Sequence, residues 1–109
     1  MPDHPPAVVN NAASRRFELH ADGKVAFLAY ELAPGRLRLI HTEVPEALRG
    51  RKYAEVLARA GLEHGRANDL KVVPFCPFVR AFLKRHPEYD AVLDPRWKAM
   101  LEAEGVKDA

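Results

Sequence analysis

The sequence has little cysteine: Cys76 is the single thiol among 109 residues. One cysteine cannot form a disulfide within the chain, which excludes the small secreted scaffolds that disulfides hold together. The first residues also lack the basic and then apolar pattern that is typical of a signal peptide. Together these two absences predict a reducing, cytoplasmic location.

Three further features are missing, and each absence argues against a class of partner. No apolar run approaches the roughly 20 residues that a membrane-spanning helix needs, so no membrane partner is expected. The net charge of +2 is too small to indicate a nucleic-acid partner. The five histidines are scattered and form no spaced Cys/His pairs, so the sequence predicts no metal site.

The remaining composition is that of an ordinary globular domain, with 48% apolar and 29% charged residues. A chain of this length supports one hydrophobic core and not two. Residues 1–14 contain three prolines and no sustained periodicity. We therefore predict a flexible N-terminal arm there and a single domain over residues 15–109. The sequence leaves open whether this domain is a monomer or a homodimer.

Alternating apolar residues predict an antiparallel meander of three strands, over residues 15–20, 24–33 and 36–44. The dipeptide at 22–23, Asp-Gly, favours a tight hairpin because glycine accepts a positive φ. The dipeptide at 34–35, Pro-Gly, fits the central pair of a type II turn. Both faces of the second strand are apolar, which predicts that this strand is covered on both sides.

Helical periodicity follows the meander. A helix is predicted from about residue 49 or 50 to residue 67, and a short apolar strand over residues 70–75. Because a helix separates this strand from the third one, the two should run parallel through a right-handed crossover. Pro77 opens a second helix, and a last helix runs from about residue 94 to residue 105. The predicted fold class is α+β, with helices packed on a mixed sheet.

The junction between the third strand and the first helix is basic. Arg49, Gly50, Arg51 and Lys52 lie where the helix is expected to begin. The first N–H groups of a helix have no partner within it, and the positive end of the helix dipole points the same way. Such a junction can bind a phosphate. The alternative is a solvated, basic start of a helix that binds nothing.

Three sequence blocks, in this order, resemble one known family. They are His-Thr-Glu-Val-Pro at 41–45, Leu-Arg-Gly-Arg at 48–51, and the two linked segments 73–79 and 85–89. On these blocks, most of the chain resembles the GNAT superfamily of acetyl-CoA-dependent N-acetyltransferases, and more narrowly the small single-domain group typified by bacterial YjdJ-like proteins. The resemblance implies transfer of an acetyl group from acetyl-CoA to an amine, on a protein or peptide lysine or on a small molecule.

The superfamily's phosphate loop, Gln/Arg-x-x-Gly-x-Gly/Ala, aligns with residues 49–54, but Lys52 stands where the central glycine belongs. A β-carbon there crowds the pyrophosphate, so weakened cofactor binding is expected. The resemblance also implies that the third and fourth strands diverge and that backbone near Glu43 and Val44 pairs with the pantetheine arm of CoA. The predicted cofactor-binding residues are Glu43, Val44, Arg49, Gly50, Arg51, Lys52, Tyr53 and Ala54.

Cys76 is a candidate catalytic residue. In many family members a tyrosine acts as the acid, in the motif Asn-x-x-Ala-x-x-x-Tyr; here Cys76 replaces the asparagine and Leu83 replaces the tyrosine. A cysteine between a strand end and a helix N-terminus is in a position that stabilises a thiolate. Cys76 then either gives a proton to the leaving CoA thiolate or acts as a nucleophile. The alternative is a buried structural cysteine.

His41 and Glu43 are the candidate bases that would take a proton from the amine. Strand alternation predicts that both side chains lie on the same face of the sheet. The alternatives are a structural histidine and a surface carboxylate at a strand end. For the whole chain, the alternatives to an acetyltransferase are a non-catalytic relative that binds CoA or a protein and, against the small net charge, a nucleic-acid-binding module.

Overall fold

A mixed five-stranded sheet forms the centre of the molecule. The computed structural model describes the backbone of residues 6–108 and the side chains of residues 6–103. The strands are β1 (Val9–Asn11), β2 (Arg16–Ala21), β3 (Lys24–Ala33), β4 (Arg36–Glu43) and β5 (Lys71–Pro74). They lie in the order β1-β2-β3-β4-β5, and neighbours are antiparallel except for the parallel pair β4–β5. This topology confirms the predicted α+β class.

Within residues 6–108, three helices accompany the sheet: α1 (Tyr53–Ala67), α2 (Pro77–Arg85) and α3 (Pro95–Asp108). Two short 3-10 helices, Glu46–Leu48 and Pro87–Val92, lie in the connections. As predicted, α1 is the crossover between the parallel strands. It begins later than expected, because residues 49–52 form a loop, and α3 extends to Asp108 and not to about residue 105.

The hydrophobic core lies between α1 and one face of the sheet. Phe17, Leu19, Leu28 and Leu39 are among the buried strand residues on this core face. A β-carbon built at Gly61 of α1 would lie 3.1 Å from Leu28 and 3.2 Å from Leu39. This close approach fixes the position of α1, and therefore of its N-terminus, relative to β4.

The other side of the sheet, which we call the open face, carries Arg16, Phe27, His41 and Glu43. Phe27 is half-buried there, and the Arg16 guanidinium lies 4.5 Å from the centre of its ring. The prediction that β3 is covered on both sides was therefore wrong for this face. The guanidinium of Arg16 covers the ring in place of a second apolar layer.

Strand β1 was not predicted, because Val9–Asn11 falls within the expected flexible arm. The strand pairs antiparallel with β2, and two side-chain hydrogen bonds fasten it. Tyr30 Oη donates to Asn10 Oδ1 at 2.7 Å, and Asn11 Nδ2 donates to Glu18 Oε2 at 3.2 Å. A strand of three residues has no periodicity that a sequence pattern reveals. The rest of the expected arm includes residues 1–5, which lie outside the described residues.

An ion pair ties the start of β4 to the start of α3. Arg36 Nε donates to Asp94 Oδ2 at 2.8 Å, and the backbone N–H of Arg96 donates to Asp94 Oδ1 at 3.0 Å. Asp94 is only 4% exposed. The hydrogen bond from Arg36 outweighs the effect of burial and lowers the pKa of Asp94 below its ordinary value.

Asp94→Asn should destabilise the protein by about 1–2 kcal/mol at pH 7, because a charged hydrogen bond is lost while the amide oxygen can still cap α3. A lowered carboxyl pKa gives stability that is present above the ordinary value, about pH 4, and that is lost as the pH falls through the folded-state value. Urea unfolding at pH 7 and at pH 3 measures both effects. Asp69→Asn, at an exposed turn residue, is the control; equal effects of the two variants would contradict this account.

Candidate functional site

Strand β4 is longer than the part of it that β5 covers. The parallel pairing runs from Arg36, opposite Lys71, to Leu39, opposite Pro74. Just beyond, the Cys76 N–H donates to the Leu39 carbonyl at 2.9 Å. Proline has no N–H to extend the ladder. Within the described residues, no strand therefore pairs with the β5-side edge of residues 40–43, which we call the gap edge.

A β-bulge decides which side chains of the gap edge point to which face. Strand β4 carries one extra residue, Ile40, where its register with β3 shifts. After the bulge, Thr42 lies opposite Leu28 on the core face, whereas His41 and Glu43 lie on the open face. Consecutive side chains of this short segment thus lie on opposite faces of the sheet.

Thr42 and Cys76 form a pair on the core face. Thr42 Oγ1 and Cys76 Sγ are 3.2 Å apart, and either atom can be the donor. Cys76 is only 2% exposed and is the residue immediately before α2. The predicted position of the thiol, after β5 and at a helix N-terminus, is therefore the observed one.

His41 and Glu43 form a second pair on the open face, as strand alternation predicted. Their Nε2 and Oε2 atoms are 3.6 Å apart, and the side chains are 57% and 62% exposed. The imidazole also contacts the edge of the Phe27 ring. The three predicted catalytic residues therefore do not converge on one face: the candidate bases lie on the side opposite the thiol.

Other carboxylates of the open face are paired with arginines. Burial raises the pKa of Glu18, but hydrogen bonds with His20, Arg16 and Asn11 outweigh it and lower the pKa below its ordinary value. Arg16 Nη2 lies 2.6 Å from Glu18 Oε2, and Glu31 lies 3.6 Å from an arginine opposite it on β4. Glu43 differs from both, because the ion pair observed for it is with a histidine and not with an arginine.

A cleft of about 210 Å³ opens at the N-terminus of α1. It is lined by Val44, Leu48, Arg49, Gly50, Lys52, Tyr53, Ala54, Glu55 and Phe78. Six of the eight predicted cofactor-binding residues are in this set; Glu43 and Arg51 are not. The sequence reasoning missed Leu48, Glu55 and Phe78, although Leu48 and Phe78 stand within the blocks that carried the resemblance.

The loop in front of α1 adopts unusual backbone conformations. Gly50 has φ of 87°, and Lys52, the residue before α1, has φ of 64° and ψ of 25°. The second conformation is left-handed, which disfavours any residue with a β-carbon. The Lys52 side chain makes no capping hydrogen bond. The first turn of α1 therefore presents its N–H groups, and the positive end of the helix dipole, without a side-chain cap.

Arg51 does not line the cleft, and its role in cofactor binding stays a prediction. Its Nη1 lies 2.9 Å from Asp22 Oδ2, at the β2–β3 hairpin. Hydrogen bonds with Tyr53 and Asp22 raise the pKa of Arg51 above its ordinary value. Arg49 is also engaged, because its Nε donates to the Val44 carbonyl at 3.2 Å.

A family model of GCN5-related N-acetyl-transferases matches residues 16–92, which run from the start of β2 to the end of the second 3-10 helix. The chain belongs to this family. Protein NATD1 of Danio rerio is 37% identical over 87 residues, covering 75% of this chain and 79% of the relative. Protein NATD1 of Mus musculus and of Homo sapiens are each 36% identical over 86 residues, covering 76% of this chain and 78% and 76% of the relatives.

Membership in the GCN5-related family confirms the resemblance to the GNAT superfamily, while the narrower YjdJ-like grouping stays a prediction. The matched region includes the cleft, the gap edge and Cys76. Leu83, which replaces the tyrosine acid of many family members, is buried in the core. This position therefore serves packing in this chain.

The described residues contain neither a cluster of metal-ligating side chains nor a helix that could span a membrane. Among the side chains of residues 6–103, no three histidine, cysteine or acidic groups come together as a metal site would require. No helix within the described part of the chain has both the length and the apolar composition for crossing a bilayer.

Proposed function

We propose that this chain is an acetyl-CoA-dependent N-acetyltransferase that transfers the acetyl group to an amine. One observation carries the proposal: the α1 N-terminus, which lacks a side-chain cap, lines a cleft, and Val44 in the same lining directly follows the gap edge in the chain. Val44 and Phe78 of this lining are each two positions along the chain from a member of the Thr42–Cys76 pair. The candidate anion site and the buried thiol are thus neighbours along the chain, although Cys76 does not itself line the cleft.

The residues present fit CoA in two respects. The uncapped first turn of α1 and the Lys52 ammonium suit the phosphates. The gap edge suits the pantetheine arm, because an unpaired strand edge can take an extended amide-containing chain in the manner of strand addition. When bound, acetyl-CoA supplies an activated acetyl thioester. Glu43 and Val44 belong to the site through their backbone, at the end of this edge.

Each of the two side-chain pairs carries out one of the two proton transfers that the reaction needs. On the open face, His41 takes the proton from the attacking amine, and Glu43 beside it attracts the ammonium form of the acceptor. On the core face, Cys76 gives its proton to the leaving thiolate or carries the acetyl group as nucleophile. The acceptor therefore approaches from the open face, which leaves room for an amine on a protein, on a peptide or on a small molecule.

A second candidate is a non-catalytic relative that binds CoA or a protein partner. Two observations favour it: Lys52 occupies the glycine position of the phosphate loop, and Leu83 occupies the position of the usual acid. The thiol of Cys76 favours the enzyme, because it lies at the gap edge and offers a proton that leucine lacks.

Titration calorimetry with acetyl-CoA and with CoA tests the proposal, on the natural protein and on Lys52→Gly. We expect saturable binding by both, and about three- to tenfold tighter binding by Lys52→Gly, because glycine lets the backbone approach the pyrophosphate. Lys52→Ala is the matched control. It loses the ammonium but keeps the β-carbon, so it should bind more weakly than the natural protein.

Two results would contradict this account. If Lys52→Gly binds as weakly as Lys52→Ala, the ammonium of Lys52 outweighs any crowding by its β-carbon. If none of the three proteins binds acetyl-CoA or CoA, the cleft is not a CoA site and the proposed function is wrong.

A further inference from the structure

The contact between Thr42 and Cys76 spans the gap. The two residues are 34 positions apart, and their side chains meet at 3.2 Å just beyond the last β4–β5 pair. The β-bulge at Ile40 makes this contact possible, because it turns Thr42 to the core face and leaves His41 on the other. Without the extra residue, strand alternation would point position 41 toward Cys76.

The hydroxyl at position 42 has no evident packing purpose. Valine has nearly the same shape, suits a strand and needs no polar partner inside a protein. Thr42 is half-buried, and the hydrogen-bond partner observed for its hydroxyl on the core face is the sulfur of Cys76. Among the described side chains, no buried nitrogen or oxygen atom lacks a hydrogen-bond partner, and the contact with Thr42 also gives the Cys76 thiol a partner.

A threonine hydroxyl can serve a cysteine in both of its protonation states. It accepts a hydrogen bond from the thiol, and after rotation it donates one to the thiolate. A donor to a thiolate is worth more than a donor to a thiol, because hydrogen bonds to a charged group are stronger, especially away from water. Both catalytic roles of Cys76 include a thiolate.

We propose that Thr42 is a positioning residue that holds the Cys76 sulfur at the gap edge and stabilises its thiolate. The inference rests on the proposed function. In the transfer, the thioester C–S bond breaks and the amide C–N bond forms. An acceptor that arrives as an ammonium first releases one proton to solvent. The proton of Cys76 then passes to the leaving sulfur, the neutral amine loses a proton to His41 as it is acetylated, and His41 returns that proton through solvent to Cys76.

Alkylation of Cys76 tests the inference without any acetyl transfer. Since Cys76 is the only cysteine of the chain, the mass gain of the intact protein in iodoacetamide at pH 7.5, roughly physiological, reports this thiol alone. We expect Thr42→Val to slow alkylation about tenfold and Thr42→Ser, which keeps the hydroxyl, to stay within about twofold. If Thr42→Val does not fold, Thr42→Ala is compared with Thr42→Ser in the same way.

Steady-state kinetics with butylamine, a mimic of the lysine side chain, give the second readout. Thr42→Val should lower kcat about tenfold and leave the KM for acetyl-CoA within about twofold, while Thr42→Ser restores kcat. Unchanged alkylation in Thr42→Val, or slowing to the same extent in Thr42→Ser, would overturn the inference. A third outcome separates the two proposals. If alkylation slows in Thr42→Val but not in Thr42→Ser, and the natural protein acetylates no amine, the role of Thr42 beside Cys76 is supported and the proposed function is not.

Discussion

Cys76→Ala should lower acetyl transfer to an amine by about a hundredfold or more, while the affinity for acetyl-CoA stays within about twofold. The variant removes the group that gives a proton to the leaving thiolate or carries the acetyl group. It leaves the cleft at α1 unchanged, because Cys76 is not among the lining residues. Release of CoA in the presence of butylamine, followed by chromatography, measures the first effect, and calorimetric titration measures the second.

Cys76→Ser is the matched variant, because it keeps the size of the side chain and a hydrogen-bonding group but is a far weaker acid than a thiol. It should be nearly as inactive as the alanine variant. Because Cys76 is buried in the core, either substitution could also destabilise the fold. The melting temperatures of all three proteins show whether a loss of activity comes from a loss of structure. Acetyl transfer by Cys76→Ala at the natural rate would remove both catalytic roles and identify Cys76 as a packing residue.

Gly65→Ala should destabilise the protein by about 2–3 kcal/mol. A β-carbon at Gly65 would lie 2.9 Å from a methyl group of Val72 and 3.1 Å from the carbonyl oxygen of Leu70. The second neighbour is backbone, and the Leu70 N–H is itself bound to the Gly65 carbonyl at 2.8 Å. The backbone of the turn from α1 to β5 therefore cannot move away from the new methyl group without breaking that hydrogen bond. Urea unfolding of the variant measures the cost.

Gly61→Ala is the control on the same helix. Its β-carbon would meet the ends of two leucine side chains at 3.1–3.2 Å, which can move by a few tenths of an ångström. Alanine also improves helix propensity by up to about 1 kcal/mol. The net change should stay within about 1 kcal/mol. If Gly61→Ala destabilises the protein as much as Gly65→Ala, close approach to backbone is not the deciding factor.

The regular part of the fold was predictable because its signals are local. Strand β3 runs over Lys24–Ala33, as predicted, since Asp-Gly and Pro-Gly turns mark both of its ends. Strand β1 was not predictable, because three residues carry no period and its stability comes from hydrogen bonds made by Tyr30 and Glu18. The late start of α1 was not predicted, because the positive φ of Lys52 does not change the spacing of the apolar residues from which the helix was predicted.

The candidate site was predictable to the extent that its residues are contiguous. The run from Arg49 to Ala54 supplied most of the predicted lining of the cleft. The partner of Arg51 was not predictable, because Asp22 reaches it from a distant hairpin. Thr42 stood unnoticed between the two candidate bases, since its role depends on a bulge that only the pairing of β4 with β3 reveals.

At the bulged end of β4, residues 40–43, one face of the strand is exposed to solvent and the other is turned toward the core. Water reaches the exposed His41–Glu43 pair freely, whereas the sulfur on the other face is enclosed. A thioester needs shelter from hydrolysis, and an amine that must lose a proton needs an outlet to solvent. For the proposed acetyl transfer, one strand segment offers both conditions, on its two opposite faces.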